Sequence, residues 1–545
     1  MNILIGGAWP YANGSLHIGH IAALLPGDIL ARYHRLKGDK VCYVSGSDCH
    51  GTPIILRAKK EKTSPAEVAD RYHREFDEYF RKLGFSYDYY GQTSSEEHKA
   101  FVTDFHKKLY ESGYVCEKTQ DQAYCINCTQ FLPDRFVVGI CPFCSKDARG
   151  DQCEHCGKVL DPEALLSAQC SLCGSEPEFR PSAHLYLELS KLDEFLSQFV
   201  AKAAGWRKNA IGMSERYIRE GLQDRALTRD MEWGIDVPLE GYEEKKIYIW
   251  AENVLGYLSA SFAWADRNSA DWFDFWSSNA LHYYIHGKDN IPFHSIILTA
   301  LLKAHGGLHL PDRIVSSEYL TLEGRKISTS QNWAIWVPYI LERYDPDSIR
   351  YFLTANGPEK RDTDFTWREF INSHNGELLG AYGNFVNRSL VFIKKSFERK
   401  VPDGRPDPAI ENEIQALYVK AGNLIEEGNL KEALDSIFSF VRSANKYFDE
   451  ERPWIAVKED LEKCRDTLYG CVQIIANLAV LLEPFLPFSS RKIKNCLSIQ
   501  SNSWQFVEIP AGLEIKEPEL LFQRIDKRVI EEEREKLEKQ PETAL

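Results

Sequence analysis

The pattern of apolar and polar positions divides the chain into a strand-rich part and a helical part. Four short apolar runs are typical of buried strands, and they lie at residues 3–5, 41–44, 247–250 and 281–285. Residues 64–83 and 94–112 show the spacing of amphipathic helices. Helical spacing alone continues from about residue 376 to 500. The pattern therefore predicts an α/β sheet followed by an all-helical bundle.

Length and charge narrow the class of protein. A chain of 545 residues is too long for a single core and predicts several domains. The longest apolar run, residues 474–482, is too short to cross a membrane, and the first residues lack the basic segment of a targeting signal. We therefore expect a cytoplasmic protein with no membrane partner. The net charge of −14 argues against a general nucleic-acid coat but allows local contacts with a nucleic acid.

The first twenty residues combine features of a phosphate site. Ile3 to Ile5 predict a buried strand, and His17-Ile-Gly-His20 opens an apolar helical segment after a Pro- and Gly-containing loop. A helix start offers unpaired N–H groups and the positive end of its dipole to a phosphate. Gly19 would let a ligand approach the backbone, and the two histidines would add donors. The alternative is that these histidines are surface or helix-capping residues.

Asp48 follows the second predicted strand, residues 41–44. Because ligands bind at the carboxyl ends of the strands in a doubly wound sheet, its carboxylate is a candidate for holding the ammonium group of a ligand. A turn carboxylate that caps the next element is an equally good interpretation of this residue alone.

Eight of the 14 cysteines form four Cys-x-x-Cys pairs. The pairs are Cys125/Cys128, Cys141/Cys144, Cys153/Cys156 and Cys170/Cys173. Two such pairs complete a closed tetrahedral site of four sulfurs, so we expect two structural Zn²⁺ ions. The short link favours the two middle pairs as one site and the two outer pairs as the other, but pairing in sequential order is open. Redox-active pairs are the alternative to metal binding.

A second loop carries phosphate-binding chemistry. The strand pattern returns after residues 116–229, so this segment is interpreted as an insertion between two halves of one sheet. Further on, a Gly-containing loop brings together Lys326, Ser328, Thr329 and Ser330. A mobile loop of this composition suits the stabilisation of phosphates, because the lysine supplies charge and the hydroxyls supply donors.

These motifs resemble signatures of the class I aminoacyl-tRNA synthetases. His17-Ile-Gly-His20 resembles the HIGH signature, and Lys326-Ile-Ser-Thr-Ser330 resembles the KMSKS signature apart from Thr329 in place of the second lysine. The loop Ala8-Trp-Pro-Tyr-Ala-Asn-Gly14 resembles the methionyl family in particular. The resemblance implies a Rossmann-type doubly wound parallel sheet, split by a zinc-knuckle insertion and followed by an all-α anticodon-binding bundle.

The resemblance also implies an enzyme that uses ATP, with Mg²⁺, to convert methionine to methionyl-adenylate and then transfers the methionyl group to initiator and elongator tRNA(Met). Its catalytic residues would be His17, His20 and Lys326. Its ATP-binding residues would be Gly19, Lys288, Asp289, Ser328, Thr329 and Ser330. Its amino-acid-binding residues would be Ala8, Trp9, Tyr11, Asp48, Trp250, Asn253, Val254, Tyr257, Asn290 and His294.

Some pocket positions depart from the commonest family pattern, namely Trp9, Asn253, Val254 and Asn290. Trp9, Val254, Asn290 and Thr329 resemble a divergent second class of the bacterial enzyme that is associated with tolerance of mupirocin, whereas Asn253 is unusual even there. A buried amide without a partner costs about 1–3 kcal/mol. The alternatives are a paralogue that activates another amino acid, and a non-catalytic zinc-containing RNA-binding relative.

The helical bundle carries residues that match the family's anticodon-reading set. Asn384 and Arg388 are one helical turn apart, and Trp454 follows a proline. The resemblance implies that an unpaired anticodon base stacks on Trp454 and receives hydrogen bonds from Asn384 and Arg388. The alternative is a buried tryptophan beside a solvated polar face. We expect the protein to be a monomer.

The expected domain boundaries follow from these assignments. They are 1–115 and 230–320 for the two halves of the catalytic domain, 116–229 for the zinc-knuckle insertion, 321–375 for the KMSKS-loop and stem-contact region, 376–525 for the anticodon-binding bundle, and 526–545 for a polar tail.

Overall fold

The computed structural model describes residues 1–133, 136–150, 153, 156, 160, 162–329, 331–405 and 407–539. In chain order the strands are β1 (Asn2–Gly7), β2 (Lys40–Ser47), β3 (Tyr89–Gln92), β4 (Val115–Cys125), β5 (Gln130–Phe131), β6 (Val137–Ile140), β7 (Asp147–Arg149), β8 (Leu166–Cys170), β9 (Glu178–Leu187), β10 (Arg225–Ala226), β11 (Thr228–Asp230), β12 (Lys245–Ile247), β13 (Ala280–Gly287), β14 (Arg313–Ser317), β15 (Leu320–Leu322), β16 (Arg325–Lys326) and β17 (Thr363–Phe365).

The α-helices are α1 (Ile18–Lys37), α2 (Thr52–Glu61), α3 (Pro65–Lys82), α4 (Glu96–Tyr110), α5 (Asp193–Ala201), α6 (Lys208–Arg219), α7 (Ile249–Glu252), α8 (Gly256–Arg267), α9 (Thr299–His305), α10 (Val337–Arg343), α11 (Pro346–Ala355), α12 (Trp367–Ser373), α13 (Asn384–Ser396), α14 (Pro408–Glu426), α15 (Leu430–Glu451), α16 (Pro453–Glu459), α17 (Leu461–Leu481), α18 (Pro487–Cys496) and α19 (Val529–Glu538). Two segments, Phe293–Leu298 and His374–Gly383, are π-helical. Among the helices of the described residues, none combines the length and the apolar composition that a membrane span requires.

A five-stranded parallel sheet in the order β14-β13-β1-β2-β3 forms the centre of the fold. The strand β1 lies between strands from both sides of the predicted insertion, because Ile3 pairs with Val41 of β2 and with Leu281 of β13. Residues Ile3 to Gly7 are buried, as expected for a parallel sheet that is covered on both faces. The predicted doubly wound sheet is confirmed.

Residues between β3 and β13 form separate antiparallel sheets. Within the described residues their strand orders are β10-β9-β4-β5, β7-β6-β8 and β11-β12. The long pair β4 and β9 runs in register from Val115 opposite Leu187 to Tyr124 opposite Glu178. A further sheet, β16-β15-β17, presents Lys326 at its edge. In the described part of the chain, the strands of the inserted segment therefore pair with one another and not with strands of the parallel sheet.

The predicted strand at residues 247–250 is wrong after its first residue. The strand β12 ends at Ile247, which pairs with Thr228 of β11. Tyr248 then takes the N-terminal cap position of α7 in an extended conformation. A short apolar run has no periodicity that separates a buried strand from a buried helical turn. In this chain the turn places Trp250 on the wall of a cavity at the sheet edge.

A buried arginine joins the helical bundle to the sheet. Arg350 of α11 is fully buried, and its Nη2 atom lies 2.7 Å from Oδ2 of Asp28 in α1. Its other bonds reach the backbone carbonyls of Leu83, Pro484 and Phe485. Burial alone would raise the pKa of Asp28, but the guanidinium groups of Arg32 and Arg350 lower it to about 2.

Replacing Arg350 with Met should destabilise the fold strongly, because it takes the donor from three backbone carbonyls and leaves the buried Asp28 carboxylate with Arg32 and Ser86 alone as donors among the described residues. We expect the free energy of unfolding to fall by about 3–5 kcal/mol in urea titrations followed by circular dichroism. The matched control is Arg81→Met, since Arg81 is exposed and its partner among the described residues is Asp77 on its own helix. That change should cost less than about 1 kcal/mol. Equal unfolding midpoints for the two variants would contradict the assignment.

Candidate functional site

Two adjoining cavities lie at the carboxyl edge of the parallel sheet. The first has a volume of about 590 Å³ and the second of about 500 Å³. Residues that line both are Ala8, Trp9, Pro10, His20 and Asn290. The cavities form here because the carboxyl ends of β1, β2 and β13 lie side by side and each continues into a loop.

The first cavity brings together every residue that was predicted to bind the amino acid. These residues are Ala8, Trp9, Tyr11, Asp48, Trp250, Asn253, Val254, Tyr257, Asn290 and His294. They come from four segments that are far apart in sequence. The structure therefore supports the set as one site, while the role of each member stays a prediction.

Aromatic rings form much of the wall of the first cavity. Trp250 stacks on Phe293, with ring centroids 3.7 Å apart and an interplanar angle of 10°. Nδ1 of His294 lies 2.8 Å from the Asn290 carbonyl, so it donates there and Nε2 accepts from the Tyr257 hydroxyl at 2.7 Å. Burial lowers the pKa of His294 to about 4, so the ring is neutral near pH 7. Phe293 could not be identified from the sequence, because a single apolar residue carries no motif.

Trp9 occupies a slot that three glycines leave open. A Cβ atom at Gly46 would lie 2.5 Å from Cζ3 of Trp9, and one at Gly256 would lie 2.7 Å from its Cε2. A Cβ atom at Gly91 would lie 3.0 Å from its Cη2. Such distances are shorter than van der Waals contact, so only glycine fits against the indole. The chain thereby accommodates a tryptophan in the wall between the two cavities.

Asp48 lies on the wall of the first cavity and is 1% exposed. Its N–H donates to the Pro10 carbonyl at 2.9 Å, and its carbonyl accepts from the Ala12 N–H at 2.8 Å, so it is fixed to the opening loop. Burial, and then the negative charge of Glu252, raise the pKa of Asp48 well above its usual value. Asn253 lines the same cavity and is 8% exposed.

His17 and His20 form a capping box at the start of α1. The Gly19 N–H donates to Nδ1 of His17, and the His17 N–H donates to Nδ1 of His20, both at 3.1 Å. Because a backbone N–H can only donate, each neutral ring carries its proton on Nε2. Both rings therefore cap the helix through Nδ1, and the Nε2–H group of each ring is the donor that it can offer to a ligand.

Both capping rings are uncharged near pH 7. Burial, and then the neighbouring His20, lower the pKa of His17 well below its usual value. Burial lowers the pKa of His20 to about 4. These histidines can therefore stabilise negative charge by hydrogen bonds, whereas a full positive charge must come from a different side chain or from a metal ion.

The second cavity collects five of the residues predicted for catalysis and ATP binding. They are His17, Gly19, His20, Asp289 and Lys326. The Tyr319 hydroxyl donates to the Asp289 carboxylate, and the Lys326 ammonium group lies 5.9 Å from the centre of the Tyr319 ring. Tyr319 also lines this cavity and was missed in the sequence, where it stands outside the loop motif.

Lys288 faces carboxylates. Its Nζ atom lies 2.7 Å from Oε2 of Glu318 and 2.7 Å from Oδ1 of Asp362, and it sits 3.9 Å from the centre of the Tyr319 ring. These bonds link the ends of β13 and β14 to the segment before β17. Lys288 therefore stabilises the wall of the second cavity by joining these segments.

The hydroxyl residues of the 326–330 loop are separated. The Ser328 hydroxyl accepts from the Gln331 N–H at 3.3 Å. Thr329 lines the first cavity. Ser330 lies outside the described residues, so its predicted contact with ATP has no structural counterpart here.

The eight paired cysteines form two clusters of four. One contains Cys125, Cys128, Cys170 and Cys173, and the other contains Cys141, Cys144, Cys153 and Cys156. Within each cluster the sulfur atoms lie within 4.8 Å of one another. The outer pairs therefore join each other and the middle pairs join each other, so sequential pairing is wrong. Each cluster could hold one metal ion with no open coordination position.

Asn384, Arg388 and Trp454 lie on the helical bundle, with Asn384 and Arg388 on α13. The Arg388 guanidinium is 5.7 Å from the ring centre of Trp454, 4.6 Å from that of Phe448, and 2.7 Å from the Asp449 carboxylate. Trp454 is 42% exposed, so the alternative of a buried tryptophan is wrong. Phe448 and Asp449 were missed because they lie on a different helix, α15.

Comparison with known proteins identifies the family. The family model described as "tRNA synthetases class I (M)" matches residues 3–390, and that described as "Anticodon binding domain of methionyl tRNA ligase" matches residues 401–542. Methionine--tRNA ligase 1 of Alkaliphilus oremlandii (strain OhILAs) is 56% identical over 538 residues, which are 98% of this chain and 100% of that protein. Methionine--tRNA ligase of Bacillus cereus (strain 03BB102) is 56% identical over 541 residues, covering 98% and 99%.

A solved structure shares the fold. Mycobacterium tuberculosis methionyl-tRNA synthetase in complex with methionyl-adenylate superimposes with a TM-score of 0.80 over 96% of this chain and 100% of that one. Its sequence identity of 22% supports the fold alone. The family models and the 56% identity over nearly the whole length carry the assignment. The chain belongs to the methionyl family of the class I aminoacyl-tRNA synthetases.

Proposed function

We propose that the chain is a methionine--tRNA ligase, which activates methionine with ATP and transfers it to tRNA(Met). The observation that carries this proposal is the convergence of all ten predicted amino-acid-binding residues on one cavity, next to a second cavity lined by His17, His20 and Lys326. The curated relatives named above are methionine--tRNA ligases. The aromatic rings of Trp250 and Tyr257 suit a thioether, which makes favourable contacts with aromatic faces.

The first step joins methionine to AMP. A carboxylate oxygen of methionine attacks the α-phosphorus of ATP, and the bond from that phosphorus to the bridging oxygen of pyrophosphate breaks. The Nε2–H groups of His17 and His20 donate hydrogen bonds to phosphate oxygens as negative charge develops. Lys326 supplies positive charge to the leaving pyrophosphate, and Mg²⁺ accompanies ATP and neutralises part of its charge. The site thus works by positioning and charge stabilisation, with no general base.

The second step transfers the methionyl group. A hydroxyl of the terminal ribose of tRNA attacks the carbonyl carbon of the adenylate, the bond to the phosphate oxygen breaks, and AMP leaves. The exposed surface around Arg388 and Trp454 would select the tRNA by stacking and hydrogen bonding to anticodon bases. The monomeric state and the cytoplasmic location stay predictions.

The two cysteine clusters would each hold one Zn²⁺ ion. Four thiolates within 4.8 Å of one another match the donor set and the closed geometry of structural zinc sites. The sulfurs leave no position for a substrate, so zinc would stabilise the inserted segment and take no part in the chemistry.

Methionine-dependent exchange between ATP and pyrophosphate tests the substrate assignment. The purified chain should exchange label in the presence of methionine and at least about a hundredfold more slowly with leucine, isoleucine or valine. Exchange with another amino acid and none with methionine would make the substrate wrong. Tight tRNA binding without any exchange would support a non-catalytic RNA-binding protein instead.

Removing the His20 donor should slow adenylate formation. We expect His20→Ala to lower the rate constant of exchange about a hundredfold with little change in the KM for methionine, and His20→Gln, which keeps a donor and an acceptor, to recover part of it. Because the pKa of His20 is lowered to about 4, the ring is neutral above that pH. The ratio of wild-type to His20→Ala rates should therefore stay constant between about pH 6 and 8. A ratio that rises as His20 gains a proton near pH 6.5 would contradict the neutral-donor role.

Replacing Trp454 with Ala should weaken tRNA charging and leave adenylate formation unchanged. Losing one stacking contact should lower kcat/KM for tRNA in Trp454→Ala by about ten- to a hundredfold, with normal ATP–pyrophosphate exchange. The matched control is Ile455→Ala on the same helix, since Ile455 is also an exposed apolar residue. Equal losses in both reactions, or an equal loss in the control, would count against anticodon stacking.

A further inference from the structure

Tyr319 links two residues of the second cavity that come from different elements. It follows β14, whereas Asp289 follows β13 and Lys326 lies on β16. All three residues line the second cavity. The Tyr319 hydroxyl donates to Oδ1 of Asp289, and the Lys326 ammonium group lies 5.9 Å from the centre of the Tyr319 ring. One side chain is therefore placed between a carboxylate and a cation of the cavity.

The Tyr319 ring is held in place by its own backbone and by Lys288. The Tyr319 N–H donates to Oδ1 of Asp362 at 2.9 Å, and its carbonyl accepts from the Thr363 N–H at 3.0 Å. The Lys288 ammonium group, which also binds Asp362, lies 3.9 Å from the ring centre. Burial, and then the hydrogen bond to Asp289, raise the pKa of Tyr319, so the hydroxyl keeps its proton near pH 7.

The bond from Tyr319 leaves the Asp289 carboxylate able to bind a ligand. An ionised carboxylate has two acceptor oxygens with two lone pairs each. Tyr319 donates to Oδ1, and in the part of the chain that the structure describes Oδ2 accepts no hydrogen bond. Phosphate oxygens are acceptors and repel a carboxylate, so the groups of ATP that suit Asp289 are donors such as the ribose hydroxyls. By fixing Oδ1, Tyr319 restricts the rotation of the carboxylate and leaves Oδ2 for the ribose.

The Tyr319 ring attracts Lys326 without neutralising it. Among the described residues, no carboxylate pairs with the Lys326 ammonium group, whereas Lys288 pairs with Glu318 and Asp362. A carboxylate partner would compete with a phosphate for the lysine. A cation near an aromatic face gains only about 0.5–1 kcal/mol at an exposed site, so the ring can hold Lys326 near the cavity and still release it to a phosphate.

We propose that Tyr319 is a positioning residue for ATP, whose hydroxyl orients the Asp289 carboxylate toward the ribose and whose ring holds the Lys326 ammonium group beside the phosphates. The inference rests on the proposed function and adds to it one side chain that aligns the nucleoside end of ATP with its phosphate end. Tyr319 acts through Asp289 and Lys326 and touches no reacting atom.

Removing the hydroxyl alone tests the contact with Asp289. The KM values for ATP and for 2′,3′-dideoxyadenosine triphosphate are measured by methionine-dependent pyrophosphate exchange on the full chain and on Tyr319→Phe. We expect the KM for ATP to rise about three- to tenfold with little change in kcat, because the Asp289 carboxylate is free to rotate. The KM for the dideoxy analogue, which has no ribose hydroxyls, should change little. In an Asp289→Ala background, Tyr319→Phe should leave the KM for ATP unchanged.

Removing the ring tests the contact with Lys326. Tyr319→Leu should lower kcat for exchange about two- to fivefold below that of Tyr319→Phe, because only an aromatic ring attracts the ammonium group. In a Lys326→Met background the two variants should have equal kcat values. The matched control is Tyr242→Phe, which loses a bond from a tyrosine hydroxyl to Glu117 outside both cavities. It should keep the KM for ATP and kcat of the unmodified chain.

Four results would overturn the inference. An equal rise in KM for ATP and for the dideoxy analogue would make Tyr319 a packing residue, and a lower KM for ATP would make its hydroxyl a competitor of the ribose. Equal kcat values for Tyr319→Phe and Tyr319→Leu would remove the role of the ring, and unchanged kinetics in both variants would remove any role. None of these results touches the proposed function, which fails only if the unmodified chain shows no methionine-dependent exchange.

Discussion

The position of β1 between β2 and β13 is the constraint on which the site depends. Its backbone pairs with a strand that precedes the inserted segment and with a strand that follows it. Parallel pairing aligns the carboxyl ends of all three strands, so their loops deliver the opening loop, Asp48 and the 287–290 turn to one edge. Hydrogen bonds between buried parallel strands have no water to replace them, which makes this register costly to break. An insertion of any size is tolerated as long as the two halves pair in this register.

Burial determines which side chains of the site are charged near pH 7. The rings of His17, His20 and His294 are neutral because desolvation disfavours their charged forms. Lys326 lies on a short exposed strand, where water stabilises its ammonium group until phosphates bind. The site therefore combines fixed neutral donors on α1 with a cation on a separate sheet. Fixed donors need no reorganisation when charge develops in the transition state. Such preorganised donors are usually the largest source of electrostatic stabilisation in enzymes.

Local patterns were predictable from sequence, and long-range partnerships were not. The runs at β1, β2 and β13 and the amphipathic spacing of residues 64–83 are set by neighbouring residues, and the structure confirms them. The cavity set could be assigned only through the family resemblance, because its members are scattered along the chain. The contact between Nδ1 of His50 and Oε1 of Glu252 was not predictable, since nothing near either residue encodes the other. The bracing of Lys288 by Glu318 and Asp362 was missed for the same reason.

The cysteine clusters show why spacing alone was so informative in the inserted segment. In each cluster two sulfur-bearing residues are buried and the others are nearer to solvent, so each ion would sit at the surface of the small core that surrounds Cys125 and Cys141. A core of this size buries too little apolar surface to offset the chain entropy of its sheets. Metal binding supplies folding free energy directly and needs only that thiolates meet in space. Each Cys-x-x-Cys pair brings two of the four thiolates together locally. The outer pairs meet where β4 ends at Cys125 and β8 ends at Cys170, although these strands belong to two different sheets. The cysteine-rich part of the inserted segment can therefore hold its shape around the two clusters, whereas Leu185 and Leu187 of the same segment pack in one hydrophobic core with Leu4 of the parallel sheet.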